Sequence, residues 1–213
     1  RRSSDLTGFF INKNYIVTNA HVVEFQNQEL RAYIDGRPEP IAVSLKRKSM
    51  PFEDSGRDYA VLMSSVPSNF FLSLQKKNGS TQLESVISAG FPGDALELLA
   101  DLQQSENLDN PDKLPLFITT GIVNAEQKIK GKEDAIIHSA TISQGNSGGP
   151  LINACGRVLG INTFISTSEV RTLNIALSVS GLRQFLSDAA IDFYETDETC
   201  NPRLIQTDPA SDP

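Results

Sequence analysis

Residues 141 to 151 run Thr141-Ile142-Ser143-Gln144-Gly145-Asn146-Ser147-Gly148-Gly149-Pro150-Leu151. Ser147 has glycine two positions before it and at both positions after it, and a proline closes the run. Glycine admits backbone dihedrals and close approaches that a Cβ forbids, so this loop devotes its freedom to presenting one hydroxyl. A serine hydroxyl is a poor nucleophile near neutral pH. It needs an imidazole to take its proton, and the imidazole needs an acceptor to fix its tautomer. Which histidine and which acid serve Ser147 therefore decides the fold.

Gly145-Asn146-Ser147-Gly148-Gly149 satisfies the G-x-S-x-G elbow of α/β-hydrolases, in which the order along the chain is serine, acid, histidine. The two histidines, His21 and His138, both precede Ser147, and that order is excluded. An Asp, His, Ser order would rest on Asp5 in a chain without alternating strands and helices. The order His, Asp, Ser fits. His21 lies in Val17-Thr18-Asn19-Ala20-His21-Val22-Val23, where a strand is expected to give way to a short helical turn among small neighbours. His138, in Ile136-Ile137-His138-Ser139, is expected to be a packed or surface histidine of a strand. Of the aspartates between His21 and Ser147, Asp58 is favoured because it opens the apolar run Asp58-Tyr59-Ala60-Val61-Leu62-Met63; Asp54 is the reserve. When Ser147 attacks a carbonyl, the developing oxyanion needs two donors. A tight turn through Gly145, Asn146 and Ser147 supplies them from the backbone N–H groups of Gly145 and Ser147.

Outward from this loop, short apolar runs recur between turn residues: 8–11, 15–18, 30–34, 40–45, 58–63, 85–89, 116–125, 135–140, 150–153, 157–165 and 173–177. Many short strands and little helix predict an all-β barrel or sandwich. Two stretches read as helix: Ala95 to Gln104, with Leu96, Leu99 and Leu102 at threefold spacing, and a C-terminal helix capped by Ser180 and carrying Leu182, Phe185 and Leu186. The strands fall into two halves, 1–75 and 76–190, and 191–213 reads as a surface tail. In a chain of 213 residues these halves form one unit. The formal net charge of −7 and the lack of a basic cluster longer than Leu45-Lys46-Arg47-Lys48 argue against nucleic acid as a partner, and no apolar run is long enough for a membrane span. Cys155 and Cys200 permit one bridge; neither has the spacing of a metal ligand, and the chemistry above needs no metal or organic cofactor.

Together these residues resemble the chymotrypsin-fold (trypsin-like) serine proteases, and most closely the HtrA/Deg-type branch. The matching stretches are Tyr15 to Val23, Asp58 to Leu62, Ala89-Gly90-Phe91-Pro92-Gly93, Thr120-Gly121-Ile122-Val123, Gly145 to Leu151 and Gly160-Ile161-Asn162-Thr163. The resemblance implies two six-stranded antiparallel β-barrels with a short C-terminal helix, and a catalytic triad of His21, Asp58 and Ser147 in the cleft between them. It also implies cleavage of polypeptides, unfolded proteins among them, through an acyl-enzyme. A disulfide and a periplasmic or secreted location are the corresponding expectations.

The departures are as informative. Family members with PDZ domains carry them after the protease unit, and only a short tail follows the last expected helix. Relatives activated by cleavage place an aspartate just before the nucleophile to receive the new ammonium, where this chain has Asn146. The pocket floor falls on Thr141, with Ile142, Asn162, Thr163, Ala176 and Leu177 as walls; a neutral pocket for small or aliphatic side chains is expected. Residues 94–115 form an acidic insertion that the resemblance does not explain, read either as a surface excursion or as an acidic lid or docking element beside the second barrel. The competing expectation is a catalytically silent binding protein built on the same fold.

Overall fold

The computed structural model describes residues 7–24, 30–34, 37, 39–76, 81–91, 116–167, 172–198 and 200. The acidic insertion and the helix expected at 95–104 lie outside the described residues.

The first half builds a five-stranded antiparallel sheet from β1 (Phe9–Phe10), β2 (Tyr15–Thr18), β3 (Arg31–Ala32), β4 (Ile41–Lys48) and β5 (Ala60–Ser64), in the order β1-β2-β5-β4-β3. A single 3-10 turn (His21–Val23) follows β2, and a four-residue helix, α1 (Phe52–Ser55), precedes β5. The first four residues of β4 alternate buried and exposed, as a strand with one face to the core should.

The second half contains β6 (Leu74–Gln75), β7 (Ser85–Gly90), β8 (Phe117–Ile129), β9 (Glu133–His138), β10 (Pro150–Asn153), β11 (Val158–Thr167), β12 (Thr172–Ser178) and β13 (Glu195–Thr196). Six of these run β10-β7-β8-β9-β12-β11, and pairing of β10 with β11 closes them into an antiparallel barrel. Closure removes the open edges that would otherwise invite aggregation. Val86, Val123, Ile136, Ala140, Leu151, Leu159 and Ala176 make one buried cluster among these strands. The expected all-β, chymotrypsin-like architecture is thus what the chain adopts, with the second half a closed six-stranded barrel and the first, among the described residues, a five-stranded half-barrel sheet instead of the expected six-stranded barrel.

Two short strands escaped the sequence. β6 and β13 have two residues each and pair in parallel, β6 with β11 and β13 with β6. Two residues carry no alternation to read. The C-terminal helix is present as α2 (Val179–Asp188), with Leu182, Phe185 and Leu186 buried as their spacing predicts. Its cap is Ser178 rather than Ser180. Ser178 keeps the extended backbone of β12 and its side chain accepts from Ser180 N–H, whereas Ser180 Oγ donates to Asp134.

The largest buried cluster joins the two sheets and α2: Phe9, Val17, Tyr59 and Val61 pack with Leu74, Val158, Ile161, Leu177, Leu182 and Phe185. At about 25 cal/mol per Å² of apolar surface removed from water, such a shared core is what holds the halves in register. It also fixes the separation of the loops that carry His21, Asp58 and Ser147.

Candidate active site

β2 is antiparallel to β5, with Thr18 opposite Ala60. That register brings the residues just after β2 beside the residues just before β5, and so His21 beside Asp58. His21 Nδ1 is 2.6 Å from Asp58 Oδ2, and His21 N–H donates to Asp58 Oδ1 at 3.0 Å. Asn19, fully buried, donates from Nδ2 to the Asp58 carbonyl oxygen (2.7 Å) and to Thr163 Oγ1 (3.1 Å). The carboxylate is 5% exposed and the imidazole 43%: the acid is shielded and the ring reaches solvent. The hydrogen bond to Asp58 is the main cause holding the His21 pKa above its ordinary 6.5, with the attraction of Asp58 and Glu24 acting alongside and partial burial opposing them.

Asp58 is itself bracketed. Arg57 Nε donates to Glu133 Oε2 and Tyr59 Oη to Glu133 Oε1, both at 3.1 Å, with the Glu133 side chain 6% exposed. Burial, with Glu133 adding to it, raises the Tyr59 hydroxyl well above its ordinary 10.0, so it stays a proton donor. A carboxylate on β9 thus grips the residues on both sides of Asp58.

The Ser147 loop is built on two turns. Asn146 N–H donates to the Ser143 carbonyl at 3.1 Å, and Gly145, third residue of that turn, has φ 105°. A positive φ at this position, closed by a bond from the fourth residue to the first, is the type II pattern that glycine favours. Gly149 N–H then donates to the Asn146 carbonyl. The backbone N–H groups of Gly145 and Ser147 have no acceptor among the described residues, and neither does Ser147 Oγ. Two strands hold the loop. Gly148 N–H donates to Asn162 O and Asn162 N–H to Gly149 O, both at 2.9 Å. On the opposite side, a Cβ at Gly148 would collide with Thr18 Oγ1 and the Thr7 carbonyl and lie 3.1 Å from the Asn19 nitrogen. The Ser147 loop therefore abuts the end of β2, three residues before His21.

Of the residues expected to line a pocket, Asn162 and Thr163 lie on β11 and Ala176 and Leu177 on β12, while Thr141 and Ile142 follow β9. Asn162 pairs with Ala176, and Thr163 sits at the bulge that follows. Thr141 is exposed, its carbonyl held by Thr119 Oγ1; Ile142 is buried, its N–H donating to Asn174 Oδ1. The Asn162 side chain turns away into the barrel, donating to Ser88 Oγ and Pro150 O. His138 is 2% exposed, and burial pushes its pKa down to about 4; Ala140 and Asn162 oppose that shift without making an aligned hydrogen bond to either ring nitrogen. It is a neutral core histidine of β9, as expected from its place in a strand. Asp54 lies in α1, and the acid against His21 is Asp58. Cys155 and Cys200 form the expected disulfide.

Thr7, Asn19 and Glu133 were not singled out from sequence. Their contacts span 138, 39 and 74 to 76 positions, and no local pattern announces pairings at that range.

Residues 6–161 match the model of the trypsin-like peptidase domain family. The chain is 31% identical over 198 residues to "Serine protease HTR4" of Rattus norvegicus, covering 87% of this chain and 34% of that protein. It is 29% identical over 182 residues to "Probable periplasmic serine endoprotease DegP-like" of Chlamydia pneumoniae, covering 83% of this chain and 32% of that protein. The chain thus spans about a third of the length of the curated relatives it matches. Among solved structures, "HtrA-type protease AlgW with decapeptide" superposes with a TM-score of 0.67 at 23% identity, over 88% of this chain and 52% of that one.

Proposed function

Because the chain belongs to the trypsin-like peptidase family, among the HtrA-type serine proteases, we propose that it is a serine endopeptidase working through His21, Asp58 and Ser147. The observation that carries the reading is the two-point grip of Asp58 on His21, through Nδ1 and the backbone N–H. It fixes the ring with Nδ1 toward the acid and leaves Nε2 for a substrate-side proton.

In this reading Ser147 Oγ attacks the carbonyl carbon of a peptide while its proton passes to His21 Nε2. The oxyanion accepts hydrogen bonds from Gly145 and Ser147 N–H, a contribution of roughly 10²- to 10³-fold per donor in comparable sites. As the C–N bond breaks, His21 gives the proton to the departing amine and the acyl group stays on Ser147. A water molecule, deprotonated by His21, then attacks the acyl carbon, and the acid departs as His21 returns that proton to Ser147 Oγ. Asp58 remains ionised throughout and stabilises the imidazolium. With no carboxylate at Thr141 or Ile142, the pocket suits small or aliphatic side chains ahead of the cut bond. Unfolded polypeptides in a periplasmic or secreted setting are the proposed substrates, a setting consistent with the disulfide.

The test is mass-spectrometric mapping of the bonds cut in casein, with Ser147→Ala beside the parent chain. Cuts after small aliphatic residues that disappear in Ser147→Ala are expected. Cuts that persist in the variant, or none in the parent, would overturn the reading.

A further inference from the structure

A glycine at 145 permits the geometry that aims its N–H at an oxyanion, but it does not enforce it. Glycine crosses to other φ values at little steric cost, so the shape of the 143–147 turn rests on hydrogen bonds rather than on side-chain clashes. In relatives activated by cleavage a charged pair at the residue before the nucleophile does this work. Here that residue is Asn146, which has no charge to offer. Something else must hold the loop.

One residue touches it on both sides of the nucleophile. Thr7, 4% exposed, donates from Oγ1 to the Gly145 carbonyl at 2.7 Å and from its backbone N–H to the Ser147 carbonyl at 3.1 Å. Thr7 is itself anchored: its hydroxyl accepts from Phe91 N–H at 3.1 Å and its carbonyl accepts from Thr18 Oγ1 at 2.7 Å. The neighbouring glycines are cut to its outline. A Cβ at Gly90 would sit 3.1 Å from Thr7 Oγ1, and one at Gly149 would sit 3.1 Å from Thr7 Cγ2.

The consequence for the turn is specific. The Gly145–Asn146 peptide is pinned at both ends, its oxygen by Thr7 Oγ1 and its N–H by the Ser143 carbonyl. With that plane fixed, the φ and ψ of Gly145 alone decide where the Gly145 N–H points relative to it. We infer that Thr7 is a positioning residue of the oxyanion-binding loop, its hydroxyl holding the Gly145–Asn146 peptide so that Gly145 and Ser147 N–H converge on one point. The inference rests on the protease reading above, in which those N–H groups are the oxyanion donors.

Threonine separates into two parts that substitution can test one at a time. Thr7→Val keeps the shape and removes the hydroxyl; Thr7→Ser keeps the hydroxyl and removes the methyl. The parent and both variants would be assayed on a fluorogenic peptide copied from a bond cut in casein, and with the corresponding peptide aldehyde, whose adduct on Ser147 carries an oxyanion. For Thr7→Val, kcat is expected to fall about 10- to 100-fold with KM within about twofold, because the lost interaction is realised in the transition state. The aldehyde should weaken by the same factor as kcat/KM, and Thr7→Ser should stay within about threefold of the parent. Should Thr7→Val not fold, Thr7→Ser against Thr7→Ala isolates the hydroxyl in the same way. A Thr7→Val enzyme with the parent's kcat, a loss confined to KM, or a Thr7→Ser enzyme as impaired as its hydroxyl-free counterpart would overturn the inference while leaving the protease reading intact. A parent without turnover would overturn both.

Discussion

Asp58 does more at the residue scale than orient a ring. It is the largest influence raising the His21 pKa, and in the proposed mechanism the same bond would stabilise the imidazolium formed when Ser147 gives up its proton. Activity requires neutral His21, so kcat/KM should rise with pH through an inflection above 6.5, the ordinary imidazole value. Asp58→Asn removes the main raising causes, leaving only Glu24 against the opposing burial. The inflection should therefore move to lower pH, and the plateau should fall on the order of 10⁴-fold, as loss of the acid does in Ser-His-Asp enzymes. A pH profile of both proteins decides the matter; an unmoved inflection would mean that Asp58 does not control the base. The proposed triad could be read from the sequence because it depends on residue types and their order along the chain. Two histidines upstream of one glycine-framed serine left few arrangements to consider. Thr7 was not legible, since its claim rests on contacts with Gly145 and Ser147 across the whole chain.

Among the elements, β9 reaches furthest into the site without touching it. Glu133, its first residue, binds Arg57 and Tyr59 on the two sides of Asp58, and Tyr59 Oη lies 3.4 Å from the carbonyl of Ser178, the cap of α2. Glu133→Ala would leave a buried tyrosine hydroxyl and a half-buried guanidinium without their carboxylate. Breaking one side of such a buried pair costs about 3 kcal/mol or more, which for a chain of this size lowers Tm on the order of 10 °C. Glu133→Gln keeps an acceptor for Tyr59 and should recover part of the loss. Measured below the melting transition, kcat should fall for Glu133→Ala with KM nearly unchanged, because Asp58 is loosened and the pocket is not. Equal Tm values for parent and Glu133→Ala would show that solvent already satisfies these groups. The sequence revealed β9 as an apolar run beginning at Ala135, and Glu133 stands two residues ahead of that run, outside the pattern that marks it. Only the pairing of β9 with β8 and β12 turns that carboxylate toward Tyr59. In the same way β2 and β5 were visible from their composition, while their register, which sets His21 against Asp58, was not.

On the scale of the whole molecule, residues 191–198 after α2 fold back along the second sheet. Leu74 N–H donates to the Tyr194 carbonyl and Lys76 N–H to the Thr196 carbonyl; Phe71 stacks on Tyr194 at 4.8 Å, and Arg157 pairs with Glu198. Most of these contacts lie at the surface, where hydrogen bonds and ion pairs contribute little each. The Cys155–Cys200 bridge, closing a separation of 45 residues, is the strong tie. In the chain-entropy account a loop of that length restricts the unfolded state by roughly 4 kcal/mol. Its loop contains β11, β12 and α2, which supply much of the shared core, so its effect is on global stability. Thr7, His21, Asp58 and Ser147 all lie outside the loop, and Asn162 and Thr163 within it are held by β10, β12 and Asn19. Replacing both cysteines by serine, or reducing the native chain, should therefore lower Tm by about 10 °C. At temperatures where every form is folded, kcat and KM should be those of the parent. If Tm fell and kcat fell with it under those conditions, the bridge would be holding the catalytic loop as well as the fold. If neither moved, the β6–β13 pairing and the core beneath it would be sufficient to keep residues 191–198 in place.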